Sequence, residues 1–302
     1  MGQRQKLKVI IGMSKTSQIK TEKIPQDTLE KYEKLKDILQ DMNKVLVAFS
    51  GGVDSTFLLK VAQDVLGENV LAVLASSETY PERERKDAIK FVQKMNIRYS
   101  VIQTKELENP DFANNPPQRC YFCKTELFSK LKDIAEAEGI PFILDGSNYE
   151  DTADFRPGLK AAEELGIRSP LKEARLGKNE IRLLSKGLNL PTWNKPSMAC
   201  LSSRFPYYSE IDSENLKQVA RAEEFLKKLG FVQVRVRHHG QTARIEIETN
   251  EFSKIIEKKM RTKVVKNFKK FGYIYITLDL AGFRSGSMNE PLKLEGYSKK
   301  RG

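Results

Sequence analysis

Cysteine is scarce in this 302-residue chain, and its three residues are an odd number. A disulfide framework of the kind small secreted domains use is therefore not expected. No apolar stretch approaches the roughly 20 residues of a membrane span. Within the first 15 residues the only apolar run is Val9–Ile11, too short for a secretory signal. Position 6 is Lys6, where a myristoylation signal after Gly2 needs Ser or Thr. No internal repeat and no low-complexity tract is present. The expectation is a cytoplasmic protein, with no membrane among its partners. Acidic residues are also short in number: 40 Asp and Glu face 52 Lys and Arg, a net charge of +12. The excess lies at the two ends, in residues 1–28 and 207–302, and the middle is close to neutral. A basic tail can bind nucleic acid or anionic nucleotides. It can equally be a lysine-rich solvated surface.

What is present centres on Val45–Lys60. Val45–Phe49 is a short apolar run, read as a buried parallel strand. Ser50-Gly51-Gly52-Val53-Asp54-Ser55 follows directly. From Thr56, helical spacing places Phe57, Leu58, Val61, Ala62 and Val65 on one side. Strand, glycine turn and helix together aim backbone N–H groups at whatever sits above the helix N-terminus, where the dipole favours an anion. Two adjacent glycines let the backbone approach closely. Ser50 and Ser55 add hydroxyl donors, and Asp54 is a candidate magnesium ligand between phosphates. The plain alternative is a βα turn in which Ser50 or Asp54 only caps the helix. A Walker A loop is excluded by the spacing and by the lack of a Lys after the second Gly. The hexapeptide resembles the PP-loop of the N-type ATP pyrophosphatases, which grip pyrophosphate while ATP adenylates an oxygen of the substrate.

The length suggests two domains. Residues 1–28 read as a mobile basic extension. Thr28–Met42 has helical periodicity. Strands are expected at Val70–Ala75, Tyr99–Gln103 and Phe142–Asn148, alternating with helices at Glu82–Met95 and Lys124–Glu138. This alternation implies an α/β fold with a doubly wound parallel sheet over residues 29–206. Ligands of such sheets sit at the C-terminal strand ends. Residues 207–302 read as a smaller α+β domain for substrate and oligomerisation. It has a helix over Ser213–Leu229, alternating strands at Val232–Arg237 and Ala243–Glu248, a basic helix over Glu251–Phe268 and a strand at Tyr273–Leu280.

Cys120 and Cys123 form a CxxC where a helix begins, a position that favours thiolate. Cys200 lies in a proline-punctuated loop. Three thiolates can hold three irons of a [4Fe–4S] cluster and leave one iron open. A structural zinc normally wants four protein ligands. There is no fourth cysteine, and His238 and His239 lie in the distal domain. A thiol relay, with Cys200 as sulfur carrier, is the other contender. Three cysteines without a role are the plain reading. Arg235 and Arg237 share a strand face, and two guanidinium groups suit a phosphate or carboxylate. A solvated face over inward Val234 and Val236 is the alternative. Glu246 and Glu248 also share a face, for a cation or for pairing with lysines.

Further motifs follow in order: Asp145-Gly-Ser-Asn148, Arg156-Pro-Gly158, Lys195-Pro196, Ala199-Cys-Leu-Ser-Ser-Arg204, Val234-Arg-Val-Arg-His-His-Gly240, Thr277–Leu280 and Gly282–Glu290. With the PP-loop they resemble the LarE family, ATP-dependent sulfur transferases of nickel-pincer nucleotide assembly, over about residues 29–292. The resemblance implies adenylation of a pyridinium carboxylate mononucleotide and replacement of the activated oxygen by sulfur. It implies ATP and Mg2+ as cofactors, with ATP on Ala48, Phe49, Ser50, Gly51, Gly52, Val53, Asp54, Ser55, Ala75, Gly146 and Arg156. Asp54 would place magnesium. Ser203, Arg204, Arg235 and Arg237 would bind substrate. Some members sacrifice one cysteine in the Cys-Leu-x-Ser-Arg context, which is Cys200 here. Others carry an added CxxC, as this chain does, and hold a [4Fe–4S] cluster on Cys120, Cys123 and Cys200, fed by sulfide or another sulfur donor. A homo-oligomer is expected and a nucleic-acid partner is not. The competing readings are a PP-loop enzyme that thiolates tRNA and a non-catalytic nucleotide sensor or cluster scaffold.

Overall fold

The computed structural model describes residues 24–153, 157–196, 199–284, 286–290 and 292. Most of the expected basic extension lies outside these residues. The chain divides into two compact units. The first takes in residues up to 77, 82–106 and 120–198. The second takes in 78–81, 107–119 and the chain from 199 onward.

In the first unit, β1 (Val45–Ala48), β2 (Val70–Ser76), β3 (Arg98–Gln103) and β4 (Phe142–Leu144) form a wholly parallel sheet in the order β3-β2-β1-β4. Side chains alternate between faces along a strand, and β1 shows the consequence. Val45 and Val47 join a core with the helices Gln26–Met42 and Val53–Leu66. Leu46 joins a separate core with Phe128 and Leu131 of the helix Arg119–Ala137. Both faces of the sheet are thus covered by helices, which is why its strands read as unbroken apolar runs. The doubly wound expectation holds. The order also places β1 at the switch between two winding directions, with β2 on one side and β4 on the other. Ligand sites of open α/β sheets lie at that point, beyond the C-terminal strand ends.

In the second unit, β5 (Val234–His239) and β6 (Thr242–Ile247) form an antiparallel hairpin that pairs Arg237 with Arg244 and Arg235 with Glu246. β7 (Tyr275–Leu278) runs parallel to β6 as the edge strand. Val234, Val236, Ile245 and Ile247 turn to one face and pack with Leu226 of the helix Ser213–Lys228 and with Phe268. The other face keeps the arginines. The basic helix expected over Glu251–Phe268 is two helices, Phe252–Ile256 and Lys258–Lys270. Glu257 breaks the run with extended backbone (ψ 136°), and its carboxylate accepts the amides of Lys259 and Met260 as a cap on the second helix. Those two hydrogen bonds hold the Glu257 carboxyl below its ordinary range.

Candidate active site

In the first unit, the turn after β1 is built as a cradle. Gly51 sits at φ 65°, and a Cβ there would lie 2.8 Å from the Ala88 Cβ. Only glycine combines that backbone conformation with that approach. Gly52 precedes the helix Val53–Leu66, and no side chain caps its N-terminus. The Ser50 and Ser55 hydroxyls meet at 3.0 Å, and the Gly52 amide donates to Ser50 Oγ at 3.4 Å. From the end of β4, Gly146 packs onto the same N-terminus: a Cβ on it would lie 2.9 Å from the Ser55 nitrogen. The turn is fixed by buried Asp145, which accepts the Ser147 hydroxyl at 2.6 Å and the Ser169 hydroxyl at 2.7 Å. Ala48 and Phe49 lead into the cradle, the Phe49 amide donating to the Val73 carbonyl. Ala75 ends the neighbouring β2, paired with Ile102. Arg156 lies outside the described residues.

Three polar side chains close on this turn that sequence reasoning did not assign. Lys178 Nζ lies 2.6 Å from Asp54 Oδ2, and Asn148 Nδ2 donates to the same oxygen at 3.3 Å. Asp54 Oδ1 is buried with no hydrogen-bond partner. Lys195 Nζ donates to the Gly51 carbonyl at 2.9 Å and pairs with Glu84 at 2.7 Å. The first unit therefore presents a helix N-terminus, hydroxyl donors, two ammonium groups and one carboxylate oxygen awaiting a cation. That combination suits a polyphosphate with a divalent ion. The orphaned oxygen is the observation that lets Mg2+ fit. An unsatisfied buried acceptor costs roughly 1–3 kcal/mol.

Cys120 and Cys123 also belong to the first unit. The helix expected from Lys124 begins at Arg119, so both thiols lie in its opening turns. Cys120 is exposed, and the Cys123 thiol, partly exposed, donates to Glu106 Oε1 at 3.7 Å. Cys200 belongs to the second unit and precedes the 3-10 turn Leu201–Arg204. No disulfide involves any of the three. Among the described residues no three His, Cys, Asp or Glu side chains converge into a metal site.

The second unit contains a cavity of about 190 Å³ on the arginine face of its sheet. Arg204, Arg237, Arg244 and His239 line it with Ser287, and Tyr207, Tyr208 and Met288 give it apolar wall. Arg204 and Arg237 reach it with their donors already engaged. Arg204 forks onto Glu223 at 2.7 and 2.9 Å and holds the carbonyls of Ala199 and Cys200 at 3.0 Å each. Arg237 forks onto Glu246 at 2.9 and 2.8 Å and also meets the Ser203 carbonyl and the Ser287 hydroxyl. The Ser203 hydroxyl is tied to the Cys200 carbonyl at 2.8 Å. Arg235 is not among the residues lining the cavity. Its guanidinium lies 5.3 Å over the Phe283 ring, and burial, then Arg204 nearby, pushes its pKa down to about 10. Glu246 pairs with Arg237 and Arg244 rather than with lysines, and Glu248 is exposed.

Sequence reasoning missed Arg244, the least committed guanidinium of the cavity. Its Nε makes no hydrogen bond, and its side chain is 39% exposed. The available signal was its place opposite Arg237 across the hairpin. His239 was missed too. Burial first, then Arg244 and Arg237, lower its pKa and keep the imidazole neutral. Tyr207 donates to Asn289 at 2.9 Å, and Arg119 stacks on its ring at 4.9 Å, so this wall is held from two sides.

A family model described as NAD synthase matches residues 16–121. The chain is 41% identical over 255 residues to the pyridinium-3,5-bisthiocarboxylic acid mononucleotide synthase of Lactiplantibacillus plantarum, covering 84% of this chain and 92% of that protein. It is 44% identical over 262 residues to an uncharacterized protein of Synechocystis, covering 87% and 98%. A more distant relative is a glutamine-hydrolyzing GMP synthase of Methanococcus maripaludis, 24% identical over 57% of each chain.

Proposed function

The chain belongs to the family of the pyridinium-3,5-bisthiocarboxylic acid mononucleotide synthase, and we propose from that premise that it is an ATP-dependent sulfur transferase acting on a pyridinium carboxylate mononucleotide. The observation that carries the reading is the glycine cradle at the end of β1, with the Asp54 oxygen left open beside it. ATP places its β- and γ-phosphates on Ser50–Ser55, and the helix N-terminus carries their charge. Asp54 holds Mg2+, which neutralises charge on the leaving pyrophosphate. A substrate carboxylate oxygen attacks the α-phosphorus and expels pyrophosphate. A sulfur nucleophile then attacks the acyl carbon, and AMP leaves with the original oxygen.

The cavity of the second unit suits the anionic end of the mononucleotide. At about 190 Å³ it is smaller than the ~300–1,000 Å³ that drug-sized ligands occupy. Arg204 and Arg237 act there through their field and by holding Ser203 and the Cys200 backbone in place, and Arg244 supplies the direct contact.

For the sulfur step, Cys120, Cys123 and Cys200 are donors of the softness a [4Fe–4S] cluster requires. When bound, such a cluster with three protein thiolates has one iron able to carry an external sulfide. The competing route consumes the Cys200 sulfur itself. Among the described residues no helix is long and apolar enough to cross a membrane. A cytoplasmic location is part of the proposal. Ile274, Tyr275 and Leu280, exposed along the β7 edge, support self-association.

The test is product formation: ATP should yield AMP and pyrophosphate only with the pyridinium carboxylate mononucleotide present, together with a thiocarboxylate product seen by mass spectrometry. Turnover on tRNA instead would favour the thiolation reading, to which the helix Lys258–Lys270, with seven exposed Lys or Arg, lends its charge. That binding would fall steeply with salt.

A further inference from the structure

We propose that Lys178 is a gate on the Asp54 cation site, making divalent-cation binding depend on the nucleotide. The inference rests on the reading of the β1 turn as an ATP site. A carboxylate can hold a cation through one oxygen or through both. In this chain Oδ2 of Asp54 is taken by Lys178 Nζ at 2.6 Å and by Asn148 Nδ2 at 3.3 Å, so only Oδ1 is available. The ammonium group also opposes a second positive charge at close range. A magnesium-sized ion held by one protein oxygen must draw its other ligands from water and phosphates. It therefore enters with the polyphosphate, whose charge compensates Lys178.

Lys178 is not placed by chance. It opens the helix Lys178–Gly187, and its amide donates to Glu150 Oε1 at 3.0 Å. Gly177 before it has no room for a side chain: a Cβ would lie 2.7 Å from that same Glu150 oxygen. The Gly177 amide in turn donates to Glu180 Oε2 at 2.8 Å, and Glu180 is held by Lys31 at 2.8 Å. The backbone under Lys178 is thus fixed from two sides, and the ammonium is delivered to Asp54 by rigid structure. Lys178 acts through Asp54 and is a positioning residue.

The experiment is a Mn2+ titration of the full chain followed by electron paramagnetic resonance, with and without α,β-methylene-ATP. Wild type should bind one Mn2+ with the analogue and bind it at least tenfold more weakly without. Lys178→Ala frees the second oxygen and removes the opposing charge. It should raise nucleotide-free Mn2+ affinity about tenfold, a gain that general loss of structure would not produce. Lys178→Arg should restore the wild-type dependence. The gain should vanish in the Asp54→Asn, Lys178→Ala double variant. Unchanged or weaker Mn2+ binding by Lys178→Ala, or a gain that persists in the double variant, overturns the gate. Calorimetric binding of the analogue separates the two levels: if the nucleotide itself does not bind, the ATP reading fails, and if it binds without the Lys178 effect, only the gate fails.

Discussion

Arg204 and Glu223 face each other as a forked ion pair, and both side chains are at least 95% buried. Burial alone would raise the Glu223 carboxyl. Arg204, with Arg235 and the Val236 amide, overrides it and holds the pKa below the ordinary 4.5. A carboxyl depressed on folding contributes stability above its unfolded pKa and loses it as pH falls through the folded value. The protein should therefore keep its stability above about pH 4.5 and lose it progressively below. In denaturant melts against pH, Glu223→Gln should flatten that acid limb. Arg204→Ala, which strands a buried carboxylate, should cost about 3–5 kcal/mol at neutral pH. An unaltered melt for Arg204→Ala would refute the structural weight given to this pair.

Asp54→Asn should lower pyrophosphate release by at least about 100-fold, because a neutral amide no longer neutralises charge beside the leaving group. The amide can still accept from Lys178, so the thermal unfolding midpoint should move little. Full activity in a pyrophosphate-coupled assay would remove Asp54 from cation placement.

Arg237→Ala is a poor probe of substrate binding because it leaves buried Glu246 with only the longer Arg244 contact, at 3.2 Å. Its first effect should be instability of about 3 kcal/mol. Arg244→Ala is the clean variant. Loss of a charge-assisted bond of roughly 1.5–3 kcal/mol should raise KM for the mononucleotide about 10- to 100-fold, with kcat nearly unchanged. Steady-state kinetics in which KM for the mononucleotide stays flat would move the anionic end of the substrate elsewhere.

The fate of Cys200 separates the two sulfur routes. With sulfide, ATP and substrate supplied to anaerobically reconstituted protein, more than one sulfur should be delivered per chain, and the intact mass should not change. Cys120→Ala, Cys123→Ala and Cys200→Ala should each lose bound iron. A single turnover that leaves dehydroalanine at position 200, lighter by hydrogen sulfide, with Cys120→Ala fully active, would instead establish sacrifice of the side chain.

The first unit was legible because its signals are local. Val45–Phe49, the double glycine and the helical spacing after it are contiguous, and strands buried on both faces read as plain apolar runs. The partners of the cradle were not legible. Lys178 meets Asp54 across 124 positions, and Lys195 meets Gly51 across 144. Nothing in either lysine's neighbourhood distinguishes it from a solvated one. In the second unit the alternation of Val234 to Arg237 fixed which side chains share a face. The hairpin register then decided that Arg237 meets Glu246, a choice made by the turn at Gly240. The break at Glu257 escaped notice because a capping glutamate between two lysine-rich helices keeps the same apolar spacing as one continuous helix.

The mixed direction of the three-stranded sheet sets an order of assembly. β5 and β6 are joined by Gly240 and Gln241 alone, so their pairing closes a minimal loop and belongs to the microsecond events of hairpin formation. β7 runs parallel to β6 and reaches it only after two helices have been laid down between them, which makes it the non-local, slower contact. As an edge strand with one neighbour, it is also the cheapest to release. Amide hydrogens from Tyr275 to Leu278 should therefore exchange with solvent well before those of the hairpin, and opening would begin at this edge while the arginine-lined cavity beside β5 and β6 stays assembled.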